Sequence, residues 1–149
     1  MATVAESAIE SYKRMLRDVV APALRNAGCT GSGTTFTVPS ETHWAMLGFQ
    51  GSDANTAERM RFTVNCTVVR RDEWEASREE RSYIGPKPNP NARAGVGWVE
   101  RIGKLLPGGQ DTWWWLDAGE DSGPVAQAVI TAITDYALPA MRGQMASTS

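Results

Sequence analysis

The residue types that most often act as nucleophile, general base or soft metal ligand are scarce in this chain of 149 residues: one histidine, His43, and two cysteines, Cys29 and Cys66. A Cys/His zinc site needs more soft ligands than that, and a nucleophilic triad would have to run through His43. Flanked by Thr42 and Trp44, that histidine opens a predicted strand. Cys66 falls on the apolar face of another strand, where a buried, inert thiol is expected. Adjacent acids such as Glu79/Glu80 and Glu120/Asp121 read as solvated surface pairs. The run Gly97–Lys104 has one residue too many for a phosphate loop, and Leu105 stands where a magnesium-holding hydroxyl is needed. The glycines Gly28, Gly31 and Gly33 follow a helix rather than a strand, so they are not a dinucleotide fingerprint. No catalytic residue, metal or cofactor is assigned from the sequence.

What remains is chemistry of recognition. Gln50, Asn65 and Arg101 are hydrogen-bonding side chains in or beside predicted strands, and they make a ligand site only if the sheet brings them together on one face. In Trp98–Ile102, strict alternation sets Arg101 with Val99, and Glu100 with Trp98 and Ile102. Whichever face is buried, a charge goes with it. A partly buried Arg101 needs a carboxylate, and Asp111 or Asp117 on the next strand would serve. The tryptophans supply a second kind of candidate. Trp113, Trp114 and Trp115 must alternate, so at least one indole faces away from the main core, where it is covered or forms a platform for a partner. Trp98 and Trp114 join the binding candidates on this ground.

The elements that must position these residues follow from periodicity. Apolar side chains at Ile9, Tyr12, Leu16, Val19, Val20 and Leu24 predict an amphipathic helix over 5–27, bent or divided at Pro22 and closed by Gly28. Residues 29–33 read as a flexible turn. Strands are predicted over 34–38, 43–49 and 59–70, with the clearest alternation in the third. There Met60, Phe62, Val64, Cys66 and Val68 share one face, implying one core face and one wet face. Residues 72–83 suggest a short surface helix with Asp72 as cap. The proline-rich stretch 84–97 reads as a long exposed loop. Strands over 98–106 and 113–116 follow, then a helix that begins near Pro124 and ends or kinks at Pro139, with a frayed tail over 144–149.

Composition narrows the class. Apolar residues at 42% and charged residues at 21% describe a globular chain, and a net charge of −2 argues against a nucleic-acid partner. That near-neutral total conceals segments of −2 (1–58), +4 (59–104) and −4 (105–149), whose simplest use is to pair across the fold. Met1–Glu6 lacks the basic start and apolar run of a signal peptide, and no apolar stretch reaches the ~20 residues of a membrane span. A cytoplasmic, single-domain protein with reduced thiols and no membrane or nucleic-acid partner is therefore expected, with its core over about 5–142.

Several of these residues, taken in order, resemble a family of small bacterial proteins described as domain of unknown function 4304. They are an opening helix that ends in a glycine, a strand with Phe36, and a strand ending near Gln50. Phe62-Thr63-Val64-Asn65, Arg101-Ile102-Gly103 with Leu105, the tryptophan-rich strand, and a last helix with Ala137-Leu138-Pro139 complete the series. The likeness runs from Tyr12 to Met141. It departs at Cys29–Gly33, where the family tends to have an aromatic followed by basic residues, and at Thr67, where it tends to have glycine. Together the residues and the resemblance predict an α+β fold, an antiparallel sheet of four to five strands packed by an N-terminal and a C-terminal helix. The functional expectation is a non-enzymatic protein-binding module of immunity or accessory type. The alternative is a small-molecule binder or enzyme that uses the polar sheet face around Gln50, Asn65 and Arg101.

Overall fold

In the computed structural model, which describes residues 6–92 and 94–148, six antiparallel strands form one sheet. Met1–Ala5, on which most of the signal-peptide reading rests, lie outside the described residues, as do Arg93 and Ser149. The strands are β1 (Thr30–Ser32), β2 (Thr35–Thr37), β3 (His43–Gly51), β4 (Arg59–Arg70), β5 (Trp98–Arg101) and β6 (Trp114–Asp117). They run β1-β2-β3-β4 across the sheet. β5 and β6 then share the far edge of β4, β5 on its Asn65–Val68 half and β6 on Arg59–Phe62. The fold is α+β, as the periodicity implies.

The alternation of β4 sorts the molecule into two faces. Met60, Phe62, Val64, Cys66 and Val68 point to the first face, where one continuous apolar core joins the sheet to the N- and C-terminal helices. Phe62 is its hub: its ring lies 4.8 Å from Tyr12, 6.2 Å from Phe49 and 5.8 Å from Trp114. Full burial of one such ring stabilises the fold by roughly 1.5–3 kcal/mol.

Both terminal helices contain a proline, and neither breaks. In the first, α1 (Ala8–Met15) passes through a π turn (Leu16–Val20) into α2 (Ala21–Asn26). In the last, α4 (Gly123–Ala132) passes through a π turn (Ile133–Ala137) into α5 (Leu138–Ser147). Each π turn is closed by an i→i+5 bond, Ala21 N–H to the Leu16 carbonyl and Leu138 N–H to that of Ile133. The following proline then occupies the opening turn of the next α segment, where its missing N–H costs little. The helix therefore does not end at Pro139. The helix runs to Ser147, and Thr148 is pinned by the buried His43 (Nε2···Oγ1 2.8 Å) and by Arg70 Nη1 donating to its carbonyl (2.8 Å).

Three further expectations change. Residues 30–32 are a strand rather than a flexible turn, paired with β2 in a tight hairpin that Gly31 and Gly33 allow at positive φ. Beyond Arg101 the chain turns into a 3-10 segment (Ile102–Leu105) instead of continuing as a strand. The second sheet face is wet only in part, because α3 (Arg71–Glu80) and the segment that follows it fold over its Val69 end. Trp74, Ile84, Val69 and Val96 make a small second core there, and the Trp74 indole donates to the Gly85 carbonyl at 3.0 Å. Prolines kept this segment from being strand or helix, but Pro88 and Pro90 are buried. α3 itself begins at Arg71, with Asp72 in its first turn paired to Arg70.

Both cysteines are buried. Burial, with Glu100 nearby, pushes the Cys66 thiol up to about 12, and burial also raises that of Cys29. At about pH 8 a thiol reagent should therefore leave both untouched in the folded protein and react with both once it is denatured. Fast reaction of native Cys66 would mean that the first face of β4 is not closed.

Candidate functional site

The cover over the second face stops short. Residues 81–92 and 94–97 lie on the Val69 half of β4 and leave the other half open only at Arg59 and Arg61, since Thr63 and Asn65 are buried. The two halves meet at a cleft of about 530 Å³, lined among others by Gln50, Asn65, Asn91, Val99 and Arg101. Glu100 also lines it, although its register opposite Cys66 sets it with the first face.

Register explains the convergence. Asn65 pairs with Gly48 on one side and Arg101 on the other, while Gln50 sits opposite Thr63, so all three side chains share the second face. Both Nδ2 protons of the buried Asn65 are used, one on Gln50 Oε1 (2.7 Å) and one on Asn91 Oδ1 (2.9 Å). Its Oδ1 accepts from Arg101 Nε at 3.4 Å. Asn91 in turn donates to the Phe49 carbonyl (3.1 Å), which anchors the proline-rich segment to β3. Among the described residues, the Gln50 Nε2 and Arg101 Nη2 protons are left to donate into the cleft. A site that presents free N–H donors and a cation suits a carbonyl or carboxylate acceptor.

Arg101 is 26% exposed and is held by Asp111 at 3.2 Å, the first of the two carboxylates named for it. The other, Asp117, pairs with Arg59 at 2.8 Å. Asp111 also accepts from the Trp113 indole (3.0 Å), and that bond, followed by the charge of Arg101, holds its carboxyl below the usual carboxylate range. From here a strip of alternating indoles and guanidiniums runs along the open half of the sheet. Arg101 lies 5.3 Å from the ring of Trp113. Arg61 lies between Trp113 (4.7 Å) and Trp115 (5.5 Å), and Arg59 stands over Trp115 (4.7 Å). Arg59 and Arg101 are neutralised by aspartates; Arg61 has no carboxylate partner among the described residues.

The structure thus brings Gln50, Asn65 and Arg101 together and leaves Trp98 and Trp114 elsewhere. Trp98 pairs with Val68 and Trp114 with Phe62, so both indoles pack against the first-face core. The outward pair is Trp113 and Trp115, the latter 47% exposed. Sequence reasoning missed Asn91 and Arg61. Asn91 had a faint signal across the sheet in Gly48, a glycine inside a strand, which often marks close approach of another backbone. A Cβ at Gly48 would stand 2.5 Å from Asn91 Oδ1 and 2.7 Å from Pro90 Cγ.

An α+β chain with an antiparallel sheet and a polar cleft at its partly covered face is the class these observations define. The model of a family described as a domain of unknown function, DUF4304, matches residues 20–143, and the chain belongs to that family. No curated protein and no solved structure matches it. No helix among the described residues is long and apolar enough to cross a membrane.

Two variants test this geometry. Gly48→Ala should displace Asn91, break its bonds to Asn65 and Phe49, and cost about 1–3 kcal/mol in chemical denaturation. An unchanged midpoint with an unchanged Asn91 side-chain amide resonance would refute that packing. Because the Asp111 pKa is depressed in the folded state, its contribution is present above the usual carboxylate range and lost as pH falls below about 4. Asp111→Asn should therefore lower the denaturation midpoint at neutral pH and flatten its decline on the acid side. Coincident pH profiles for the two proteins would show that the pair contributes nothing.

Proposed function

We propose that the chain is a non-enzymatic protein-binding module whose recognition surface is the open half of the second sheet face. The observation that carries this reading is the Arg59–Trp115–Arg61–Trp113–Arg101 strip. Tryptophan and arginine are the side chains most enriched at interface hot spots, and here they are pre-stacked, so little rotamer freedom is lost on binding. Arg61 asks for an anion, so the partner offers a Glu or Asp side chain or a chain-terminal carboxylate against the strip. The polar side chains lining the adjoining cleft are three amides, the Arg101 guanidinium and the Glu100 carboxylate, and the amides and guanidinium hold acceptors in place without exchanging protons near neutral pH. The nearby thiol of Cys66 points to the other face, with its pKa far above neutrality.

The test is affinity capture from the native lysate with the intact chain and with Trp115→Ala and Arg61→Glu, both changes on the open face. A protein recovered in stoichiometric amount by the intact chain should be lost from both variants. Its affinity, measured with purified components, should fall on the order of 30-fold or more for each. The reading fails if no stoichiometric partner is recovered, or if the variants retain it.

A second reading has its own observation, the convergence of Gln50, Asn65 and Arg101 on the cleft. In that case the ligand is a small carboxylate or carboxamide, and Asn65→Ala abolishes its binding while Trp115→Ala leaves it intact. Thermal-shift titration with glutamate and glutamine distinguishes the two readings by which variant matters.

A further inference from the structure

On the first-face side of the sheet, opposite the face that carries the strip and cleft, a cavity of about 400 Å³ opens between the N-terminal helix and the β1–β2 hairpin. We propose that it binds a small amphipathic carboxylate, an aliphatic or aromatic acid, tail inward. The cavity lies within the size range of ligand pockets. Its floor is apolar and belongs to the core: Tyr12 is 7% exposed, Leu16 4% and Ala21 2%. The π turn closed from Leu16 to Ala21 forms this wall, and such turns are frequent at functional sites. Opposite stands the hairpin turn, where Gly33 has φ +66° and a Cβ there would meet nothing within 4 Å, so the mouth is open.

The charged side chains that line that mouth are cations. Lys13, Arg17 and Arg25 line the cavity, and among the described residues no acidic side chain does. Arg25 is fixed by donating from Nε (3.2 Å) and Nη2 (3.0 Å) to the Gly31 carbonyl, which keeps its charge at the hairpin. Arg17 shares its charge with Asp18 in a pair that is well exposed at both ends, a contact that water and salt weaken. Lys13 has no carboxylate partner among the described residues. An apolar tail is stabilised in proportion to the area it removes from water on such a floor. The cations then add preference for an anionic head over a neutral one. Aliphatic stems of the same lysine and arginines extend the apolar wall beneath their charges.

Octanoate and 1-octanol, titrated into the intact chain and followed by backbone amide NMR, provide the test. Octanoate is expected to shift the Leu16, Ala21 and Gly33 amides saturably, and octanol to bind the same site roughly tenfold more weakly. The exposed double variant Lys13→Glu, Arg17→Glu should remove the preference for octanoate, so that the acid binds no more tightly than the alcohol. Thr34→Trp, at the rim of the hairpin, should block both. Saturation at other amides, equal affinity for the acid and the alcohol, or octanoate binding that survives both variants would overturn the proposal. Because the site lies on the other side of the sheet, Trp115→Ala and Asn65→Ala leave octanoate binding unchanged. Failure here is therefore separable from failure of the protein-binding reading.

Discussion

β4 is hydrogen-bonded along both edges, to β3 from Phe62 to Arg70 on one side and to β5 and β6 in succession on the other. A strand paired in this way cannot slip by one residue without turning every side chain to the opposite face. With Phe62 locked into an aromatic cluster of Tyr12, Phe49 and Trp114, the register is set by the core. The position of Arg61, Thr63 and Asn65 on the second face follows from it. The polar face is therefore no independent feature. It is the other side of the hydrophobic one, and its geometry is as rigid as the core that fixes it.

The cleft exists because the second face is covered over only part of its length. A helix and a proline-rich segment shield the Val69 end, where apolar residues need shielding from water. They reach Asn65 only because Gly48 leaves room for Pro90 and Asn91 to lie directly on the sheet. Beyond that point β4 presents the buried Thr63 and then Arg61 and Arg59, which do not need a lid, and Trp113 and Trp115, before and in β6, supply the indoles that stack on the arginines. Thr63 bridges the gap between β5 and β6 by donating to the Thr112 carbonyl at 2.7 Å, so the junction of the two short strands is closed as well. The segregation of charge along the chain is resolved in the same place: basic β4 and Arg101 of β5 meet the acidic C-terminal portion through Arg59–Asp117 and Arg101–Asp111.

Both terminal helices solve one problem in the same way. A proline in mid-helix removes a donor and crowds the preceding turn, and here a π turn before each proline accommodates it without ending the helix. For the last helix the consequence reaches across the fold. α5 extends far enough to set Thr148 against His43 and Arg70, so the lone histidine is an anchor for the C-terminal end of the helix. In the first helix the same device shapes the wall of the apolar cavity beside the hairpin.

Local pattern was enough to read β4 from Arg59 to Arg70, its core-facing side chains, the two terminal helices and the need of Arg101 for a carboxylate, because these depend on period and on the cost of burying a charge. That Gln50, Asn65 and Arg101 would meet was legible only as a condition. Sequence by itself did not decide which tryptophan of Trp113–Trp115 turned inward, since alternation fixes relative faces and not absolute ones; the pairing of Trp114 with Phe62 decided it. Nor did it reveal that the proline-rich segment is a lid, because prolines exclude regular structure without saying what the irregular chain rests on. The sequence determined which residues share a face. Only the tertiary structure decided which face was buried and by what, because that depends on contacts between segments far apart in the chain.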